Sequence, residues 1–226
     1  FRSRDQHSKL YYCRAGEWIG TMTHPAITDF YFIRHAPVIK REEHLPPHDP
    51  PIKDGPFDLA PLKNRLPKHA DWHISPLLRT RQTADLLMPD LVPGSVIFDD
   101  RLVEMSFGDW HDQPVSDVWT EIADGPRHNW SFIMPETQPP GGESFTSQYQ
   151  RIGGWLNDKA ALRANNPQII ITHAGVISAA LGHILGLPPQ RAIGISVKNF
   201  AVLHVNLMEP ERATGAGGPW QMVSFG

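Results

Sequence analysis

Phe30-Tyr31-Phe32-Ile33-Arg34-His35-Ala36-Pro37 decides the fold: a run of large apolar and aromatic residues stops abruptly at an arginine and a histidine. So short a run reads as a strand buried on both faces, the kind found in the parallel sheet of an α/β domain. Open α/β sheets bind ligands at the carboxyl ends of their strands, and Arg34 and His35 fall at such an end. The pattern returns in Gln168-Ile169-Ile170-Ile171-Thr172-His173-Ala174-Gly175, where an apolar run again ends in a histidine, followed by small residues and a helical pattern. Two histidines from distant parts of the chain are therefore expected to meet at one edge of a single sheet.

Outward from these runs, residues 37–57 contain Pro46, Pro47, Pro50, Pro51 and Pro56. So much proline forbids regular structure and predicts a surface loop beside the site. His44 and His48 in it lie four apart but have no helical context, so they read as solvated side chains rather than metal ligands. Asp58 to Leu66 is expected to be a short helix with Leu59, Leu62 and Leu66 on one face, and Ala70 to Ile74 a strand. Ser75 fits the N-cap and Pro76 the first position of a helix running to Leu87. Arg79, and with it Arg81, would then stand near a helix N-terminus, where free amides favour an anion. His69 and His73 straddle a strand start and are assigned no metal.

Val96 to Phe98 reads as a strand, and Asp100 to Trp110 as a turn carrying an acid, Glu104, whose plainest reading is a surface carboxylate. A helix and loop are expected over 113–130, a second proline-glycine loop over 135–142, and a long helix from Glu143-Ser144-Phe145 to about Leu162, with Phe145, Tyr149, Ile152 and Leu156 on its apolar side. Residues 192–207 and 220–225 look like closing strands.

A chain of 226 residues supports one sizeable core, and the expected organisation is one domain over 22–226 preceded by a disordered extension over 1–21. A net charge of -3 with 20% charged residues suggests neither a nucleic-acid groove nor a polybasic membrane patch. The most apolar stretch, Ile169 to Leu187, is broken by two histidines and three glycines, so strand, turn and buried helix are predicted there and not a membrane span. A single cysteine, Cys13, rules out an internal disulfide and suits a reducing compartment, so the cytoplasm is expected. No particular oligomeric state is signalled.

Collected from strand ends and helix starts, the candidate site residues are Arg34, His35, Arg79, Glu104 and His173. Two guanidiniums and an imidazole suit a phosphate monoester dianion, because guanidinium forks make bidentate, charge-assisted bonds to its oxygens. The second imidazole, kept neutral by the neighbouring cations, is nucleophilic. A carboxylic acid beside the bound dianion is favoured in its neutral form and can protonate a departing alkoxide. The chemistry indicated is phosphoryl transfer to histidine.

Phe32-Ile33-Arg34-His35-Ala36 resembles the Arg-His-Gly signature of the histidine phosphatase superfamily, in its phosphoglycerate-mutase-like branch. In the family's order, Ser75 to Ala84 resembles its second motif, Leu102 to Trp110 its acid loop, Pro140-Gly141-Gly142-Glu143-Ser144 a further signature, and Ile171-Thr172-His173-Ala174-Gly175 the second histidine. The resemblance implies a three-layer α/β/α sandwich with a mostly parallel central sheet. It implies that His35 accepts the phosphoryl group, that Arg34, Arg79, His173 and Ala174 bind the phosphate, and that Glu104 donates the proton, with no metal or organic cofactor. The partner implied is a small phosphorylated molecule. Ala36 stands for the usual glycine, and Pro37-Val38 replaces the acidic residue and hydroxyl that usually follow.

A phosphatase is therefore expected, and the Phe-Gly-Asp-Trp and Gly-Gly-Glu-Ser motifs are similar to those of alpha-ribazole phosphatases and their broad-specificity relatives. The rival readings are a mutase, which would need extra cationic groups for a carboxylate that these motifs do not supply, and a non-catalytic phospho-ligand-binding protein.

Overall fold

A computed structural model describes residues 27–162, 164, 166–209 and 212–226; the expected extension over 1–21 lies outside the described residues. Six strands form one sheet: β1 (Ile27–Arg34), β2 (His69–Ile74), β3 (Val92–Phe98), β4 (Gln168–Thr172), β5 (Val202–Met208) and β6 (Trp220–Phe225), in the order β3-β2-β4-β1-β5-β6. The β3-β2, β2-β4 and β4-β1 pairs are parallel, and β5 and β6 add antiparallel pairs at one side. The two apolar runs that the sequence singles out are the two central strands. All five residues of β4 are buried, as a strand covered on both faces requires.

Six helices accompany the sheet: α1 (Ala60–Lys63), α2 (Leu78–Leu87), α3 (Val115–Glu121), α4 (Phe145–Ala161), α5 (Ala174–Leu185) and α6 (Pro189–Ala192). Alternate strand side chains face opposite ways, and the core divides accordingly. Phe30, Phe32, Ile170, Leu203 and Val205 pack with Ile152, Trp155 and Leu156 of α4 and Val176 and Ile177 of α5. Ile33, Trp72, Ile74, Ile169 and Ile171 pack with Leu62 of α1 and with Ala84 and Leu87 of α2. The result is the three-layer α/β/α arrangement that the resemblance implies. Among the described residues no helix is long and apolar enough to cross a membrane; the stretch at 169–187 divides into β4 and α5 as read.

Three local expectations are corrected. Helix α2 begins at Leu78, not Pro76, and Ser75 does not cap it, because its hydroxyl bonds elsewhere (below). The helix near 58–66 contracts to Ala60–Lys63. The strand expected from Ala192 starts only at Val202: residues 189–192 are helical, and Phe200 holds a left-handed φ of 62° as the chain turns into the antiparallel β5.

Candidate active site

Register assembles the site. Strands β1 and β4 run side by side with Arg34 opposite Thr172, so His35 and His173 are each the first residue past the sheet, and their ring centroids lie 5.1 Å apart. On the other side of β4, Ile74 is opposite Ile171, which sets Ser75 beside His173. The expected meeting of the two histidines is thus a consequence of parallel pairing in one register.

Their ring nitrogens are employed differently. His35 places Nδ1 2.7 Å from its neighbour's carbonyl, Ala36 O. A carbonyl only accepts, so Nδ1 carries the hydrogen and Nε2 keeps its lone pair. His173 accepts from Arg79 Nε at 3.2 Å through Nδ1, which puts its hydrogen on Nε2, donated to Ser75 Oγ at 2.8 Å. Burial is the main force holding both rings neutral, with the Arg79 and Arg34 cations adding to it. His35 is pushed down to about 3 even against the opposing pull of the Ala36 carbonyl, and His173 falls well below the usual histidine range.

The two guanidiniums are anchored from outside the sheet. Arg34 Nη1 donates to Val197 O at 2.5 Å, and its buried Nε has no partner among the described residues. Arg79 is buried, and its Nη1 donates to His48 O at 3.1 Å and approaches Asp49 Oδ1 at 3.5 Å. The same Asp49 carboxylate accepts from the first helical amide, Leu78 N, at 2.8 and 3.0 Å. The helix N-terminus expected to favour an anion is therefore already served by an internal one, which also braces Arg79. Arg81 is exposed and takes no part.

Glu104 is not a free surface carboxylate. Met105 N and Gln148 Nε2 donate to its Oε1 at 3.1 and 2.9 Å, and Gly175 N donates to Oε2 at 3.1 Å. A side chain at position 175 would collide with this carboxylate and with Gln148, which is why the motif after the second histidine ends in glycine. The strand-to-helix loop carrying Glu104 is clasped from two sides: Thr172 Oγ1 donates to Leu102 O at 2.8 Å, and Arg151 of α4 donates to Arg101 O and Val103 O at 2.5 and 3.2 Å. Gly108, with φ 52°, lets this loop cross Pro140-Gly141-Gly142 backbone to backbone, joined by Asp109 N to Pro140 O and Glu143 N to Ser106 O, each 2.9 Å.

Arg34, His35, Arg79 and Glu104 line a cavity of about 300 Å³ whose other wall is the proline-rich loop, with Lys40, His48 and Lys53. His173, fully buried, stands behind Arg79 rather than on the cavity surface. Ala174 lines a second, more apolar cavity of about 210 Å³ on the far side of Glu104, with Phe107, Phe132 and Ile195. Lys40 and Lys53 are cationic groups outside the motifs that also line the cavity. Sequence reasoning also missed Ser75, Asp49 and Gln148 as parts of the site. Ser75 was within reach of the rule that located the histidines, since it too follows the carboxyl end of a central strand. Among the described residues no three histidine, cysteine or carboxylate side chains converge to hold a metal.

One buried and one half-buried guanidinium, two neutral imidazoles and a carboxylate at the carboxyl ends of parallel strands are a set that suits a small anion, as in phosphate-handling proteins. The chain belongs to the histidine phosphatase superfamily, branch 1, whose family model matches residues 30–214. Among curated relatives, phosphoserine phosphatase 1 of Hydrogenobacter thermophilus is 27% identical over 133 residues, 58% of this chain and 62% of that protein. A Yersinia enterocolitica protein named probable phosphoglycerate mutase is 27% identical over 157 residues, 67% and 68% of the two chains. The alignment thus spans less than two thirds of the first relative.

Solved structures with the same fold include the alpha-ribazole phosphatase of Shigella flexneri, with TM-score 0.66 and 19% identity over 87% of this chain and 95% of that one. Mycobacterial glucosyl-3-phosphoglycerate phosphatase gives TM-score 0.66 and 20% identity, over 87% and 97%.

Proposed function

We propose that this protein hydrolyses small phosphate monoesters through a phosphohistidine on His35. The observation that carries the reading is the tautomer of His35: with Nδ1–H committed to Ala36 O, the Nε2 lone pair of a cavity-lining imidazole is left free beside two guanidiniums. In the first step Nε2 attacks phosphorus, the P–O bond to the alcohol breaks, and Glu104 in its acid form gives the departing oxygen its proton. Arg34 and Arg79 offset the charge on the phosphoryl oxygens. His173 holds Arg79 through its Nε and so acts on the phosphoryl site through that guanidinium. In the second step water attacks the phosphohistidine, Glu104 takes up its proton, inorganic phosphate leaves and neutral His35 returns. Family membership and the phosphatase names among the relatives support this reading.

The test is to incubate the protein with p-nitrophenyl phosphate and with 3-phosphoglycerate, with and without EDTA, following phosphate release against isomerisation. A parallel incubation with a labelled ester is quenched in alkali, where phosphohistidine survives. Expected are phosphate release insensitive to EDTA and label on the peptide holding residue 35. Isomerisation without release would make the protein a mutase, activity restored only by a divalent metal would remove the mechanism, and label at residue 173 would reverse the roles of the two histidines.

A further inference from the structure

The cavity has two cationic side chains on its wall besides the two arginines. Arg34, Arg79, Lys40 and Lys53 line it with one carboxylate, Glu104, and a second carboxylate, Asp49, stands 3.5 Å from Arg79. The two arginines stand with His35 at the strand ends, whereas the two lysines come from the proline-rich wall. Neither lysine is within ion-pair distance of a carboxylate among the described residues. They also start from fixed backbone. Val38 and Ile52 pair antiparallel, Ile39 N donates to Pro51 O at 2.9 Å, Lys53 N donates to Pro37 O at 2.7 Å, and Ile52 N reaches Gln82 Oε1 of α2 at 2.9 Å. Two unpaired ammonium groups on one wall of a cleft attract anions into it.

We propose that Lys40 and Lys53 form a subsite for a second anionic group, a carboxylate or another phosphate, on the alcohol portion of the ester, so that doubly anionic phosphate esters are preferred. The inference rests on the reading of the Arg34, His35 and Arg79 corner as the phosphoryl site. An ammonium is a compact charge with three rotatable donors, which suits either kind of anion.

Binding to the His35→Ala protein, measured by calorimetry, separates this inference from turnover. The ligands are 3-phosphoglycerate, glycerol 3-phosphate, which has a hydroxymethyl group in place of the carboxylate, glycerol 1,3-bisphosphate, and inorganic phosphate. A second charged contact is expected to favour the doubly anionic esters by about 10- to 100-fold over glycerol 3-phosphate, less so as salt is raised. Lys40→Met with Lys53→Met should remove that preference and change glycerol 3-phosphate binding by less than about threefold, while the two arginine replacements should keep it. A larger loss for 3-phosphoglycerate or for the bisphosphate identifies which anion the subsite takes. Equal affinity for all three esters in the parent, or an equal loss for all three in the methionine variant, overturns the subsite. Failure of inorganic phosphate to bind would instead overturn the phosphoryl site, and the inference with it.

Discussion

The carboxyl ends of β1 and β4 look alike in sequence and differ in how their histidines are bonded. Each ends an apolar strand in a histidine followed by alanine, and each histidine is buried and held neutral. At β1 the ring spends one nitrogen on its own chain and keeps the other free. At β4 both nitrogens are bound, one to Arg79 and one to Ser75. Burial is thus common to both histidines, and under the proposed mechanism what separates them is whether a lone pair is left over. The backbone that follows decides this. After His35 the chain runs into a loop and offers a carbonyl, whereas after His173 it enters α5, whose carbonyls are taken by helical amides.

The sharpest way to break the comparison is to remove each ring in turn. His35→Ala should lower kcat by at least ~10⁴-fold on any ester. His173→Ala, which loosens Arg79 but leaves a nucleophile, should cost ~10²–10³-fold and still form label on residue 35. Equal losses, measured by single-turnover kinetics, would mean that the two ends are not distinct in role.

A smaller effect should come from the acid, because its worth depends on the leaving group. Glu104→Gln should slow an alkyl phosphate by ~10²–10⁴-fold and p-nitrophenyl phosphate much less in the first step. Gly175→Ala, which drives a methyl into the same carboxylate, should reproduce that selective loss. A uniform loss on both esters would place Glu104 outside proton donation.

The smallest effect is on stability. His35, His73 and His173 all have folded pKa values below the ordinary one, chiefly through burial. Above about pH 6.5 they are neutral in both folded and unfolded states and contribute no pH dependence. Below it the unfolded chain binds protons that the folded one refuses, so stability falls as pH drops, by up to about 1.4 kcal/mol per unit for His35, with His73 and His173 acting in the same direction. For His35 the window extends down to its folded value, about 3. Thermal melts should be nearly level from about pH 7 to 6.5 and decline from there to about pH 5, less steeply in His35→Ala. A flat profile over that range would mean that the rings are charged in the fold.

The central strands were legible because burial on both faces leaves an unmistakable apolar run, and the histidines because a polar residue after such a run stands at a strand end. Ser75 was misread because Ser-Pro is also the local chemistry of a helix start, and only the neighbouring strand shows that its hydroxyl belongs to His173. Ile193, Ile195 and Val197 looked like strand residues, yet the chain must first turn at Phe200 before it can enter β5 antiparallel to β1. Asp49, Lys40 and Lys53 were out of reach for another reason. Proline says that a segment is neither helix nor strand, but the path of a loop is set by bonds to distant residues such as Gln82 and Leu78.

Those bonds bear on how the cavity wall behaves in time. The amides of Ile39, Leu45, Ile52 and Lys53 all donate to fixed acceptors, and the prolines between them have no amide to give and little backbone freedom to lose. Such a wall has spent most of its entropy on folding rather than on ligand binding. A substrate arriving there meets a surface already set, and under the proposed mechanism the pace of turnover falls to the chemistry at His35 rather than to the opening and closing of a lid.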